Sequence, residues 1–134
     1  MDHIRDNLYI GDKQEAGKRN RLDLNQIVHV VTLCDEQTEY TTVHHPIVDG
    51  VNEQAEFNRA VEIVLEALNQ EQNVLIHCAS GMSRSVTVVA TAIAEVEGTN
   101  FSEALELVSE HRTEADPHPD IITHAEQYLA QKDE

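Results

Sequence analysis

One segment constrains the fold more than any other, because it joins a short apolar run, a seven-residue loop and a long apolar run. The first run, Val74–His77, has the aliphatic character of a buried strand. The loop covers residues 78–84, and the second run starts at Ser85 and is ended by Gly98 as a helix would be. A buried strand that leads into a buried helix requires a sheet with helices packed against it.

The rest of the chain can supply the other layers of such a fold. Short runs rich in β-branched residues predict earlier strands at Leu8–Ile10, Ile27–Leu33 and Thr41–Val48. Helical spacing or a polar helical composition predicts helices over about Asp12–Arg21, Gln54–Asn69, Ser102–Arg112 and Pro119–Gln131. With strands gathered early and helices late, the fold class is predicted to be α/β.

Length and charge limit the possible partners. A chain of 134 residues suits one domain, covering residues 1–134, and contains no internal repeat or long linker. The formal net charge of −16 comes from 25 acidic and 9 basic side chains, which disfavours nucleic acid and anionic membranes as partners. Such acidity is typical of a cytosolic protein from a high-salt organism, although a merely soluble surface explains it as well.

The sequence also indicates a reduced, cytoplasmic location. No apolar run approaches the roughly 20 residues of a membrane helix, and the first residues lack the pattern of a secretory signal. The two cysteines, Cys34 and Cys78, do not form a CxxC pair, so neither a disulfide framework nor a zinc ribbon is expected. His44 and His45 are neighbours on a predicted strand and point to opposite faces, so no metal site is predicted.

The loop between strand and helix has the pattern of an anion-binding cradle. Backbone N–H groups of such a loop point inward, and the N-terminus of the following helix adds unsatisfied donors. Gly81 permits a backbone turn there, and Arg84 offers a planar set of donors that matches two phosphate oxygens. The predicted phosphate-binding residues are Ala79, Ser80, Gly81, Met82, Ser83 and Arg84.

Cys78 is the candidate nucleophile of this loop. It lies where the strand ends, beneath the positive potential of the loop, so we expect a thiolate at neutral pH. Six positions separate Cys78 from Arg84, which lets sulfur approach phosphorus while the guanidinium holds the equatorial oxygens. This chemistry needs neither a metal nor another cofactor. A buried, inert thiol is the alternative interpretation.

The sequence from His77 to Ser85 resembles the HCxxGxxR[S/T] signature of the protein tyrosine phosphatase superfamily. The compact chain, with Asn7–Gly11 and Val30–Leu33, resembles the dual-specificity branch. The resemblance implies a central, mostly parallel sheet of four to five strands flanked by helices. It also implies hydrolysis of phosphotyrosine, and of phosphoserine and phosphothreonine where the pocket is shallow, through a phosphocysteine intermediate. Where the family usually has Pro-Asn before its last helix, this chain has Pro117-His118.

Three other side chains are assigned roles, of which those of Asp49 and Ser85 are implied by the same resemblance. Asp49 lies before Gly50 at a position like that of the family's mobile acid loop, and is the candidate general acid; Asp35, which also follows a predicted strand, is the reserve. Ser85 would assist sulfur as a leaving group, or could be a plain helix-start hydroxyl. His77 is expected to be a supporting group that orients Cys78.

Cys34 is a candidate redox partner of the nucleophile. It ends the predicted strand Ile27–Leu33, and if that strand neighbours Val74–His77, both thiols lie at the same edge of the sheet. Oxidation of Cys78 to a sulfenic acid, followed by capture with Cys34, would then protect the nucleophile as a disulfide. The alternative is that Cys34 is a small buried hydrophobic residue.

Several function classes remain open at this point. The leading one is a cysteine-dependent phosphatase that acts on a phosphorylated protein or peptide. A phosphatase of small phosphate monoesters would use the same loop, and so would a phosphate-binding module without turnover. A sulfur-transfer enzyme also uses a loop cysteine, but has no need of Arg84. Nothing in the sequence indicates an oligomeric state.

Overall fold

A five-stranded sheet with helices on both faces forms the framework of the computed structural model, which describes residues 1–132. The strands are β1 Asp2–Arg5, β2 Leu8–Gly11, β3 Ile27–Thr32, β4 Val43–His44 and β5 Asn73–His77. The helices are α1 Lys13–Ala16, α2 Arg19–Leu24, α3 Gln54–Leu68, α4 Arg84–Glu97, α5 Phe101–His111 and α6 Pro119–Lys132. The strand order is β1-β2-β5-β3-β4, and only the β1–β2 pair is antiparallel. The predicted α/β fold with a mostly parallel sheet is therefore confirmed.

Strand β5 lies at the centre of the sheet and is covered on both faces. Val74 and Ile76 belong to the main hydrophobic core with helices α3 to α6, whereas Leu75 packs on the opposite face with Ala16 and Leu22. This explains why β5 is continuously apolar in sequence, since alternation is lost when both faces of a strand are buried.

Helix α4 is enclosed by α3, α5, α6 and β5. Ten consecutive residues, 85–94, are buried. A helix without a solvent-exposed side needs no polar face, so tertiary packing overrides the poor helix propensity of its valines and threonines. The helix ends at Gly98, which has the left-handed φ of +70°, as predicted from the sequence.

The predictions differ from the structure at the edges of the sheet. Strand β1 was not predicted. The stretch predicted as one helix over Asp12–Arg21 forms two short helices, because Gly17 ends α1. The strand predicted over Thr41–Val48 is reduced to two residues. Before its start the Thr42 hydroxyl, in place of a backbone carbonyl, accepts the N–H of Val30.

Two general findings concern the described part of the chain, residues 1–132. None of its helices combines the length and apolar character needed to cross a bilayer. No three of its histidine, cysteine, aspartate or glutamate side chains are grouped so that they could hold a metal ion. His44 Nε2 instead lies 2.9 Å from the Cys34 carbonyl oxygen, and His45 Nε2 lies 2.9 Å from that of Glu56.

Asn7 anchors the β2 end of the sheet to the turn before β5. Its buried side-chain amide donates to the carbonyls of Ala67, Gln70 and Gln72 at 2.7 to 2.9 Å. We predict that Asn7→Ala lowers the free energy of unfolding by about 2 kcal/mol, because three carbonyls lose a shared donor. Urea unfolding measures this change. The control Asn20→Ala, at an exposed helix position, should change it by less than about 0.5 kcal/mol; equal effects would contradict the prediction.

Candidate active site

The loop that joins β5 to α4, residues 78–84, lies at the carboxyl edge of the parallel strands, and we call it the anion loop. Ligands of open α/β sheets bind at this edge because loops there leave the strands beside helix N-termini. Cys78 directly follows β5 and is only 1 % exposed, so it forms the floor of the loop. Arg84 is the first residue of α4.

The carbonyl groups of the anion loop are hydrogen-bonded to donors outside it. The N–H of Lys13, at the start of α1, donates to the Ala79 carbonyl at 3.1 Å. On the other side of the loop, the Asp116 N–H donates to the Met82 carbonyl at 2.8 Å. These bonds come from opposite ends of the chain, so the loop conformation depends on the tertiary fold.

Arg112 is the outside residue that donates to two of the loop carbonyls. Its guanidinium is buried at the end of α5 and donates to the carbonyls of Gly81 at 2.6 Å and Ser80 at 3.3 Å. Its Nη1 also donates to Asp2 Oδ2 at 3.0 Å and to the Ile10 carbonyl at 3.4 Å. One side chain thereby fixes the anion loop against the first two strands.

The backbone N–H groups of the loop are left without protein partners. Within the described residues, none of the N–H groups of residues 79–85 donates to a backbone carbonyl or a side chain. Because the carbonyls are held outward, these donors and the N-terminus of α4 are free to bind an anion. The geometry is that of a preorganised oxyanion cradle above the sulfur of Cys78.

Gly81 is the loop residue whose identity the backbone dictates. Its φ of +70° is unfavourable for side-chain-bearing residues. A Cβ built at this position would also lie 2.5 Å from Arg112 Nη2 and 2.6 Å from the Gly11 carbonyl oxygen. Close packing against the supporting groups therefore requires glycine here.

Two buried side chains contact Cys78, one at its sulfur and one at its backbone carbonyl. Ser85 Oγ lies 3.3 Å from the sulfur and can donate a hydrogen bond to it. His77 Nδ1 lies 3.2 Å from the Cys78 carbonyl oxygen, and its Nε2 lies 2.7 Å from Thr32 Oγ1. A carbonyl only accepts, so Nδ1 carries the proton and Nε2 accepts from Thr32. Burial lowers the pKa of His77, which favours this neutral ring.

Arg84 projects toward a small cleft at the mouth of the loop. The cleft has a volume of about 160 Å³ and is lined by Lys13, Cys34, Asp35, Glu36, Ala79 and Arg84. The Arg84 guanidinium donates to the Ile47 carbonyl at 3.2 Å, which keeps it beside the segment that precedes Asp49. A larger groove of about 760 Å³ lies between α4, α5 and α6, and another of about 520 Å³ lies between the end of β1 and helices α4 and α5, so volume alone does not locate this site.

The structure brings Asp49 to the anion loop. Asp49 is exposed and lies in the connection between β4 and α3, and its Oδ1 accepts a hydrogen bond of 2.5 Å from the Ser83 hydroxyl. Asp35, the reserve candidate, lines the cleft but makes no hydrogen bond to the loop within the described residues. Of the two carboxylates, Asp49 is the one tied to the loop by a direct contact.

Cys34 lies at the same edge of the sheet as Cys78, because β3 pairs in parallel with β5. Both cysteines are free thiols and both are buried. Burial raises the pKa of the Cys34 thiol, the positive charge of Arg84 opposes this, and the nearby Cys78 adds to it. The Cys34 thiol donates to the Glu36 carbonyl.

Backbone groups at Pro117-His118 contact the loop despite the departure from the family pattern. The His118 N–H donates to Ser83 Oγ at 2.8 Å, next to the bond from Asp116 to the loop. The His118 ring points elsewhere, and its Nδ1 accepts the N–H of Asp120 in the first turn of α6. Substitution of the side chain therefore leaves these backbone contacts in place.

Sequence reasoning missed the residues that support the site from a distance. Arg112 was noted only as the end of a helix, and neither Asn52 nor His124, which contact the Asp49 loop, was singled out. No local pattern marks Arg112 and His124, because each acts through a contact more than 30 positions away in the chain.

A family model described as "Dual specificity phosphatase, catalytic domain" matches residues 8–128. "Dual specificity protein phosphatase 1B" of Arabidopsis thaliana is 29% identical over 135 residues, covering 96% of this chain and 81% of that protein. "Dual specificity protein phosphatase 22" of Mus musculus is 28% identical over 123 residues, covering 87% of this chain and 67% of the relative.

Solved structures share the fold. The crystal structure of human DUSP28 superimposes with a TM-score of 0.85 at 18% identity, covering 100% of both chains. The crystal structure of DUSP15 gives a TM-score of 0.82 at 22% identity, covering 97% of this chain and 89% of that one. At these identities the likeness concerns the fold.

The anion loop yields a direct test with a matched pair of glycines. Gly81 and Gly98 both have a φ of +70°, but only at Gly81 does an added Cβ meet neighbouring atoms. We predict that Gly81→Ala weakens the binding of inorganic phosphate by about tenfold or more, because the loop must shift away from Arg112 and Gly11. Gly98→Ala should lower stability by about 1 kcal/mol and leave phosphate affinity unchanged. Calorimetric titration distinguishes the two, and equal affinities would refute the role assigned to Gly81.

Proposed function

Because the chain belongs to the dual specificity phosphatase family, we propose that it hydrolyses phosphate esters on protein side chains through a phosphorylated Cys78. The family itself comprises cysteine-dependent protein phosphatases, and the chain is such an enzyme. The observation that carries the residue assignment is the anion loop, whose free N–H groups surround a buried cysteine. A phosphatase of small molecules and a binding module without turnover are less favoured by this membership.

In the first step, the Cys78 thiolate attacks phosphorus and forms a sulfur–phosphorus bond as the bond to the leaving oxygen breaks. The N–H groups of residues 79–84 and the Arg84 guanidinium hold the three equatorial oxygens through the transition state. Asp49, as the carboxylic acid, gives its proton to the leaving oxygen. Its bond to Ser83 supports this assignment, since it keeps the carboxyl group beside the phosphate position.

In the second step, water attacks phosphorus and the sulfur–phosphorus bond breaks. Asp49, now a carboxylate, takes a proton from this water and is restored to the acid. The Ser85 hydroxyl donates a hydrogen bond to the returning thiolate, which the distance of 3.3 Å to the sulfur supports. His77 orients Cys78 through the Cys78 carbonyl oxygen. No step requires a metal ion or another cofactor.

The proposed substrates are phosphorylated proteins or peptides, with phosphoserine and phosphothreonine accepted beside phosphotyrosine. The cleft of about 160 Å³ supports this breadth, because it is small for a ligand pocket. None of its lining residues is aromatic, so no aromatic side chain restricts the cleft to the long side chain of phosphotyrosine. At the mouth Glu36 is paired with Lys13, but Asp35 and the net charge of −16 disfavour polyanionic substrates.

We also propose that the protein works in a reduced, cytoplasmic setting. Its two cysteines are free thiols, and the proposed nucleophile requires one of them to stay reduced. The acidic composition supports a high-salt source, in which screening weakens the repulsion among surface carboxylates.

The catalytic assignments predict a specific pattern of activity. With 4-nitrophenyl phosphate and EDTA present, the parent protein should be active and Cys78→Ser inactive, because the serine hydroxyl is not ionised at neutral pH. Asp49→Asn should lower kcat by about 100-fold, the usual contribution of a general acid, and the matched control Asp35→Asn by less than about threefold. Retained activity in Cys78→Ser would overturn the nucleophile, and reversed effects of the two asparagine variants would make Asp35 the acid.

Cys34 is proposed to protect Cys78 against oxidation. Peroxide would convert the Cys78 thiolate to a sulfenic acid, and the Cys34 thiol would then displace water to form a disulfide. After prolonged peroxide treatment and then dithiothreitol, the parent should regain most of its activity, whereas Cys34→Ser should stay inactive as the sulfinic acid. Mass spectrometry without reductant should show the Cys34–Cys78 link. Full recovery of Cys34→Ser would remove this proposal.

A further inference from the structure

We propose that His124 is a positioning residue for the general acid, and that it acts through Asn52 on the loop that carries Asp49. This inference rests on the proposed role of Asp49 and extends it to a residue on the last helix. His124 lies on α6 and does not reach the anion loop. Its contacts instead fix the base of residues 48–52, which we call the acid loop.

The ring of His124 is held in one orientation and one tautomer. It is 9 % exposed, and it stacks on Phe57 with 5.8 Å between ring centroids. Its Nε2 accepts the backbone N–H of Asn52 at 2.9 Å, so that nitrogen carries no proton. Its Nδ1 donates to Gln54 Oε1 at 2.6 Å, and Gln54 Nε2 donates back to the His124 carbonyl at 3.0 Å.

Asn52 transmits this constraint to the acid loop. Its Oδ1 accepts the Val48 N–H at 2.8 Å, and its Nδ2 donates to the carbonyls of Val48 and Gly50 at 2.9 and 3.2 Å. Residues 48 to 50 therefore close around the Asn52 side chain, with Asp49 at the outer end of the turn. The backbone of Asn52 is itself fixed by the histidine.

The acid loop is thus held at two points. At its tip, Asp49 accepts a hydrogen bond from Ser83 of the anion loop, and at its base Asn52 donates to His124. The loop has no regular secondary structure, and both Val48 and Asp49 are exposed, so few apolar contacts restrain it. Without an acceptor at Nε2, the loop keeps only the contact at its tip, and the carboxyl group samples positions away from the leaving oxygen.

The loss of activity in a variant whose Asp49 is no longer positioned should depend on the leaving group of the substrate. Proton transfer matters most when the departing oxygen is a strong base, and little when it is a weak one. A residue that only packs α6 against α3 would instead affect all substrates to the same extent. The ratio of activities on two esters therefore separates positioning of Asp49 from general stability.

The test compares phenyl phosphate, with a basic leaving group, and a fluorinated methylumbelliferyl phosphate, with a weakly basic one. We expect His124→Leu to lower kcat on phenyl phosphate by about tenfold or more, and on the fluorinated ester by less than about threefold, with KM little changed. His124→Gln retains an acceptor near the Nε2 position and should recover most of the loss. The matched control is His111→Leu, an exposed histidine on α5, which should behave as the parent.

A double variant tests the route of the effect. If His124 acts through Asp49, then Asp49→Asn combined with His124→Leu should be no slower on phenyl phosphate than Asp49→Asn alone. Asn52→Ala keeps the backbone N–H that donates to His124 but removes the side-chain bonds to Val48 and Gly50. It breaks the next link toward Asp49 and should give the same dependence on leaving group. If His124→Leu does not fold, which urea unfolding would show, Asn52→Ala still tests the proposal.

The outcomes distinguish this inference from the function on which it rests. If Asp49→Asn loses no more activity on phenyl phosphate than on the fluorinated ester, the proposed acid is wrong and the inference fails with it. If Asp49→Asn behaves as proposed while His124→Leu or Asn52→Ala slows both esters equally, Asp49 remains the acid and the positioning role of His124 is overturned.

Discussion

The outward hydrogen bonding of the anion loop's carbonyls is the constraint on which the rest of the site depends. A seven-residue loop in isolation would satisfy its backbone groups with one another or with water. Here donors from α1, from Arg112 and from the segment before α6 bind the carbonyls, and the N–H groups remain free. The cradle for an anion is therefore a product of tertiary structure, set before any ligand arrives, and this preorganisation gives it catalytic value.

The supports of the site come from the whole length of the chain. Asp2 in β1 pairs with Arg112 at the end of α5, and Arg112 also donates to the carbonyls of the anion loop. The acid loop is likewise tied to α6 by His124. Such long-range contacts couple folding to function, because residues at and beyond the end of α5 contact the anion loop and the acid loop directly.

The sequence allowed the family and the general fold to be predicted, because strong local signals carry both. Residues 77–85 contain the signature, and the apolar patterns of β5 and α4 place it between a strand and a helix; family and fold are both confirmed. Strand β1 was not predicted, and helices α1 and α2 were wrongly predicted as a single helix. Short elements at the edge of a sheet depend on their neighbours more than on their own sequence pattern. Arg112 and His124 could not have been predicted, because nothing in their local sequence reveals a contact partner so far away.

We propose above all that the sulfur of Cys78, at the floor of the anion loop, carries the phosphoryl group during turnover. Rapid acid quenching of the working enzyme, followed by mass spectrometry of its peptides, measures this directly. We predict one phosphoryl group on the peptide that contains Cys78, accumulating within the first turnover. A phosphoryl group found instead on a histidine or serine peptide, or turnover without any phosphorylated peptide, would contradict the account.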